Sequence, residues 1–363
     1  MQIDPALFQE NERLAPAGEE RRFLHTGPIA LEAGGSLPGV TIAYETWGEL
    51  NDARDNAILV CHALSGDSHA VGWWERLVGP GRAIDTERFF VIGTNALGGC
   101  QGTTGPSSPH PDGKPYGSRF PIITVRDMVD VQLRLIDHLG IDRLSMVAGG
   151  SMGGMQALEW TLRHPGRVDR AWITACAPAH SAMQIGFNEA ARQAVMRDPK
   201  WRGGDYPPDD PPANGLSVAR MIGHLSFLSE AAFAAKFGRS LQDKEAFDYR
   251  LGVEFAVESY LNYQGDKFTK RFDANSLLVL TRAIDYYERR SFAGSQSRYL
   301  FTSFTSDWLY PSHQSEAMHR MALEAGCPSR WIDIDLPHGH DAFLLDGEHQ
   351  GTAVRSFLES GRP

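Results

Sequence analysis

The sequence predicts an α/β fold: a mainly parallel sheet with helices on both faces, interrupted by a helical insertion. Three observations predict it. Short, nearly all-apolar runs end in glycine-rich or polar loops, as strands buried on both faces do. Stretches of helical period lie between those runs, which is the alternation of a parallel sheet. From about Ser181 to Arg290 the strand signals fade and helical patterns dominate.

Taken in order, the apolar runs are "NAILVCHALSG" from Asn56, "RFFVIGTNALGG" from Arg88, "LSMVAGGS" from Leu144 and "RAWITACAP" from Arg170. Each is rich in Val, Ile or Phe and breaks into a loop after four to six such residues. "TVRDMVDVQLRLIDHLG", from Thr124, places Val125, Met128, Val129, Leu133, Ile136 and Leu139 near one helical face, and Gly140 closes it as a C-cap. A second helix is expected in "GGMQALEWTLRHPG", from Gly153. The helical region then contains "QIGFNEAARQAVM", "VARMIGHLSFLSEAAFAAKFG", "EFAVESYLNYQG" and "SLLVLTRAIDYYER", with the proline-rich "YPPDDPPANG" as a break near its start. Strands resume in "SRYLFTSFTSDWLY" and "RWIDIDLPHGH". The expected organisation is an α/β core from residues 1–180 and 291–363, with 181–290 inserted as a helical lid.

Bulk properties narrow the function. A formal net charge of −10 argues against a general binder of nucleic acid or anionic membrane, since both require a basic surface. No apolar run is long enough to cross a bilayer. Cys61, Cys100, Cys176 and Cys327 lie far apart without metal-ligand spacing. The opening "MQIDPALFQENERLAPAGEERR" is charged and lacks the apolar stretch of a secretory signal. A soluble, cytoplasmic protein is expected.

Chemistry enters at Gly149-Gly150-Ser151-Met152-Gly153, which fits G-x-S-x-G between a strand and a helix. In that arrangement a strained turn lifts a serine oxygen above the end of a sheet. A serine nucleophile needs a histidine base and a carboxylate to orient it, met in the chain order Ser, Asp or Glu, His. Asp307 follows the run "RYLFTSFTS", and His340 follows "WIDID" through "LPHGH". Residue position alone leaves His338 as a rival base. Asp333 and Asp335 sit within the last strand and read as structural groups, while Asp285 lies in a helical pattern. Backbone N–H groups of Met152 and of Leu64, in the loop "CHALSGDSH", are the candidate donors to a tetrahedral oxyanion. His62 and His69 in that loop lack the company a metal needs. Cys100, within "NALGGCQGTTGPSS", reads as part of a fixed loop rather than as a nucleophile.

Seven segments carry a more specific resemblance: "HALSGD", "NALGGCQGTTGPSSPHP", "GGSMGGMQALEW", "RMIGHLSFLS", "VESYLNYQGDKFTKRFDANS", "SDWLYP" and "GHDAFLLD". Together they resemble the homoserine O-acyltransferases of the α/β-hydrolase superfamily, most closely those that transfer acetyl, from about Ile42 to Phe357. The resemblance implies the α/β-hydrolase fold and places the nucleophile on Ser151, the triad aspartate on Asp307 and the triad histidine on His340. It places homoserine recognition on Arg220, opposite the substrate carboxylate, and on Asp341, opposite its ammonium. Many relatives carry tyrosine where this chain has Phe227, so a hydroxyl that bonds substrate is missing here. The implied reaction is ping-pong transfer from acetyl-CoA to L-homoserine in methionine biosynthesis, with no metal or prosthetic group, by a homodimer. Succinyl-CoA is the alternative donor. Acylation of serine and simple ester hydrolysis are the more distant readings. Leu309 stands where some succinyl-using relatives carry arginine, which favours acetyl.

Overall fold

Six of the apolar runs lie side by side as parallel strands: β3 (Ala57–Cys61), β4 (Phe90–Thr94), β5 (Leu144–Gly150), β6 (Val168–Thr174), β7 (Arg298–Phe304) and β8 (Ser329–Ile334). The computed structural model describes residues 20–360. Residues 1–19 and 361–363, and with them most of the charged opening and both expected outer ends of the core, lie outside the described residues. Two antiparallel strands that the apolar runs do not predict, β1 (Arg22–Thr26) and β2 (Val40–Trp47), complete an eight-stranded sheet of order β1-β2-β4-β3-β5-β6-β7-β8. The predicted fold class is the observed one.

Side chains of the central strands alternate between two apolar clusters, one on each face of the sheet. Leu59, Val147 and Ile173 join one, which also holds buried residues of α1 (Val125–His138), α2 (Met152–Arg163) and α8 (Ser312–Glu324). Ile58, Met146 and Trp172 join the other, with Ala353 and Val354 of α9 (His349–Glu359). Here Trp172 stacks on Trp74 with ring centroids 4.8 Å apart, and the Trp74 indole N–H donates to the Phe343 carbonyl at 2.9 Å. Burial on both faces explains why these strands are apolar throughout instead of alternating.

Thr124 and Asp127 cap α1 reciprocally, and Gly140, at φ +67°, follows its end as expected. The buried face differs from the one the spacing predicts. Val131, Gln132 and Leu135 are buried, whereas Leu133 and Leu139 are only partly so. The helix packs against α2 as well as the sheet, which widens and rotates its covered face.

Between β6 and β7 run α3 (Ala182–Met196), α4 (Ala213–Phe227), α5 (Glu230–Lys236), α6 (Ala256–Thr269) and α7 (Ala274–Asp285). The stretch "VARMIGHLSFLSEAAFAAKFG" forms two helices instead of one, because Ser229 N-caps α5 by accepting from the Ala232 N–H. The proline-rich break is shorter than expected, since α4 already begins at Ala213.

A buried ion pair fastens the end of this helical region to the core. Glu159 of α2 is fully buried and receives the Arg289 guanidinium, with Nε at 2.7 Å, while Arg126 lies 3.6 Å away. Burial pushes the Glu159 carboxyl above its ordinary pKa, and Arg289 opposes that push. Arg289→Ala is expected to cost about 3 kcal/mol by stranding a buried carboxylate, the lower end of such losses because Arg126 remains. Urea unfolding of the variant measures this; an unchanged midpoint would show that the pair is not holding the region.

Candidate active site

Ser151 stands at the C-terminal edge of the sheet, between β5 and α2, with φ +56° and ψ −124°. Such a backbone conformation costs a non-glycine residue about 1–3 kcal/mol. The strain is held by packing. A Cβ on Gly153 would lie 2.1 Å from the Cys61 carbonyl oxygen, and one on Gly149 2.2 Å from the Gly153 carbonyl oxygen. Only glycine lets the helix start this close to two strand ends. Serine at a helix N-cap commonly accepts a hydrogen bond from the first turn. Ser151 makes no such bond, and its side chain lines a deep cavity instead.

His340 lines the same cavity from the loop after β8, and Asp307 stands behind it on the loop after β7. His340 Nδ1 lies 2.7 Å from Asp307 Oδ2, and both side chains are buried. Asp307 Oδ1 accepts the Tyr310 backbone N–H at 2.8 Å. With Nδ1 donating to the carboxylate, the neutral imidazole leaves Nε2 as a free acceptor. Gly339, at φ +71°, packs its Cα against the Phe227 carbonyl and the Ser229 N–H, and its own N–H donates to Ser306 Oγ at 2.9 Å. The helix ends α4 and α5 therefore set the loop that carries His340.

The rival groups fall elsewhere. His338 is buried but does not line the cavity. Asp333 Oδ1 accepts from Ser303 and Ser312 at 2.8 and 2.6 Å, and Asp335 accepts from Thr305 at 2.7 Å. His62 uses both ring nitrogens on its own loops: Nε2 accepts the Ala96 N–H at 2.9 Å, and Nδ1 donates to the Ala63 carbonyl at 2.6 Å. His69 bonds Glu45 at 2.7 Å. Among the described residues no three His, Cys, Asp or Glu side chains gather as a metal site requires. Burial pushes the Cys100 thiol up to about 11, and its sulfur accepts the Asp273 N–H.

A polar network under the sheet edge fixes the loop that carries Leu64. Gln132 of α1 donates to Gln156 of α2 at 2.8 Å and accepts from the Trp160 indole at 2.7 Å. Gln156 in turn donates to the His62 carbonyl at 3.3 Å. Leu64 lines the cavity, and Met152, as the first residue of α2, has an N–H without an intrahelical acceptor.

Arg220, on α4, and Asp341 line the cavity beside His340. The Arg220 guanidinium lies over the Phe268 and Phe227 rings at 4.8 and 5.6 Å. Its Nη1 reaches Ser65 Oγ at 3.4 Å, while its buried Nε has no hydrogen-bond partner among the described residues. Burial pulls the Arg220 pKa down, against the attraction of Asp341. The Asp341 carboxyl is pushed up to about 6 by burial, which outweighs the opposing pull of His340 and Arg220. Arg271 adds a second guanidinium to the cavity, donating to the Ser65 carbonyl at 3.0 Å.

Residues 56–346 match the α/β hydrolase fold family. The homoserine O-acetyltransferase of Mesorhizobium japonicum is 49% identical over 370 residues, covering 96% of this chain and 95% of that protein. The chain belongs to the homoserine O-acetyltransferase family of acyltransferases. A homoserine O-succinyltransferase from Bordetella pertussis is also similar, 47% identical over 92% of this chain and 86% of its own length. Among solved structures, homoserine O-acetyltransferase from Bacillus anthracis superposes with a TM-score of 0.88 at 29% identity, covering 94% of this chain and 98% of that one. Esterase E22 superposes with a TM-score of 0.86 at 31% identity, covering 94% and 100%.

Sequence reasoning missed several cavity-lining groups, among them Arg271, His180 and Tyr310. The signal available for the last two was position: both follow parallel strands, where the open ends of a sheet collect ligand-facing side chains. For the turn itself, Gly153→Ala is expected to destabilise the fold by at least about 2 kcal/mol, because the new methyl group meets backbone. A thermal melt superimposable on wild type would refute the close-approach argument.

Proposed function

We propose that the chain transfers the acetyl group of acetyl-CoA to the hydroxyl of L-homoserine through an acyl-enzyme on Ser151, releasing CoA and O-acetyl-L-homoserine for methionine biosynthesis. One observation carries this reading: Ser151 and His340, the latter backed by Asp307, open onto a cavity that also presents Arg220 and Asp341. A triad alone serves any acyl transfer. A buried guanidinium and carboxylate beside it match the two charges of a free amino acid.

In the proposed cycle His340 Nε2 takes the Ser151 proton as the oxygen attacks the thioester carbonyl. Asp307 stabilises the resulting imidazolium, and the Leu64 and Met152 N–H groups receive the oxyanion. CoA departs as the thiol, protonated by His340. Homoserine then enters with its carboxylate on Arg220 and its ammonium on Asp341. Its hydroxyl gives a proton to His340, attacks the ester and displaces Ser151. Residues 181–290 act as the lid that covers this exchange, since α4 and α6 supply much of the cavity wall. The chemistry calls on side chains and backbone alone. No helix among the described residues is long and apolar enough to cross a membrane, and a cytoplasmic homodimer is the proposed working form.

The acetyl donor rests on Leu309, which is buried and lines the cavity next to the triad. A succinyl carboxylate against leucine would lose hydration without gaining a cation. Arg271 is the observation that favours the succinyl reading, because it offers a second buried cation in the same space. Presenting both thioesters at equal concentration with homoserine should give predominantly O-acetylhomoserine by mass spectrometry. No covalent acyl adduct should form on Ser151→Ala. Predominant O-succinylhomoserine would overturn the donor, and free acetate formed equally with and without homoserine would make the protein an esterase.

Asp341 sets a pH dependence. Its carboxyl titrates near 6, so below that value it is neutral and cannot pair with an ammonium. The homoserine kcat/KM should therefore fall as pH drops through about 6, more steeply than acylation by p-nitrophenyl acetate, which has no ammonium to bind. Asp341→Asn should lower homoserine kcat/KM at neutral pH and remove this extra fall. Identical acid limbs for both reactions would take Asp341 out of homoserine recognition.

A further inference from the structure

A second aspartate–histidine pair reaches the same cavity through His180. Asp285, the last residue of α7, has a buried side chain that accepts three side-chain donors: His180 Nδ1 at 2.9 Å, Asn188 Nδ2 at 2.7 Å and Arg192 Nη1 at 2.7 Å. Burial acts to raise its pKa, but these hydrogen bonds outweigh it and hold the carboxylate below its ordinary value. A carboxylate only accepts, so His180 carries its proton on Nδ1. In the neutral tautomer this leaves Nε2, 2.6 Å from the Tyr310 hydroxyl, to accept the phenol proton.

Tyr310 in turn contacts Asp307 and His340 and shares the cavity wall with Ser151. Its backbone N–H donates to Asp307, its ring stacks on His340 with centroids 4.9 Å apart and planes at 22°, and its phenol stands close enough to Ser151 for the serine hydroxyl to act on its titration. The phenol is buried at the cavity wall and stays protonated, since burial raises its pKa well above the usual value. With that proton committed to His180, the phenol oxygen offers only lone pairs to Ser151.

We propose that Tyr310 is a positioning residue for acyl transfer, with Asp285 and His180 fixing the direction of its hydroxyl so that its oxygen holds the Ser151 hydroxyl in one rotamer. The inference rests on the acyl-enzyme reading above. It assigns a role to Asp285, a carboxylate outside the Ser151, Asp307 and His340 set, and to His180. The oxygen of Tyr310 receives the Ser151 proton donor in the resting enzyme. It yields that proton to His340 when the thioester arrives, so the serine starts its attack from a defined position.

The test is a double-mutant cycle on the burst of p-nitrophenol released by p-nitrophenyl acetate, with thermal melts alongside. Tyr310→Phe keeps the ring on His340 and removes only the oxygen. It should slow acylation about tenfold, the scale of one well-placed hydrogen bond, with the KM for ester little changed. His180→Gln should slow acylation in the presence of Tyr310 and add nothing in the Tyr310→Phe background. A wild-type burst rate, or a faster one, in Tyr310→Phe would overturn the proposal. Independent, additive losses from the two substitutions would reduce His180 to a structural group and overturn the chain of positioning. Ser151→Ala separates this outcome from failure of the acyl-enzyme itself: a burst that survives Ser151→Ala overturns the shared reading, whatever Tyr310 does.

Discussion

At Gly153 the first turn of α2 lies so close to the end of β3 that a single added carbon would stand 2.1 Å from the Cys61 carbonyl oxygen. That approach sets the pitch of α2 against the sheet, and it pins Ser151 in a backbone conformation it would not otherwise hold. Everything at the site is referred to this turn. Gly149 fills the space under it, Thr174 of β6 accepts the Ser151 N–H, and the Gln132 and Gln156 network ties the neighbouring His62–Leu64 loop to the same helix. Side chains from four strand ends can converge because one of them is sterically locked.

The charge pattern of the cavity runs against that of the whole chain. The protein carries a formal −10, yet its cavity gathers Arg220, Arg271 and Lys267 against Asp341 and Glu75. Burying cations costs solvation, and the structure meets that cost with aromatic faces, using Phe227 and Phe268 against Arg220. Phe227 fits this arrangement without a hydroxyl, since its ring packs between the guanidinium and the region of His340, 6.2 Å from the imidazole centroid. The outer surface is free to be acidic because the cavity makes its own local field.

Acetyl- and succinyl-using relatives stand at nearly the same identity to this chain, 49% and 47%. Overall similarity thus reports the scaffold and does not separate the two donors. Two residues that line the cavity bear on the proposed donor, the apolar Leu309 and the cationic Arg271.

The sequence alone determined the parallel strands, the helices between them and the helical region before β7, because burial on two faces and helical period are local patterns. It also placed Ser151 at a strand-to-helix turn, whose glycines mark a backbone few other residues allow, and it placed Asp307 and His340 after the strands they follow. Strands β1 and β2 were not legible. They are short or mixed in polarity, and their partners lie along an edge that exists only after the sheet forms. The choice between His338 and His340 was open to position alone, since two residues in one loop differ by orientation, which Gly339 and the ends of α4 and α5 impose. Asp285 was passed over because a helix position says nothing about what its side chain meets. Only the tertiary structure brought it to His180 and Tyr310, residues 105 and 25 positions removed by subtraction of their numbers. Local pattern fixes which backbone a segment adopts; contacts across the fold depend on how the segments pack, and polar pairs of that kind leave no periodic trace.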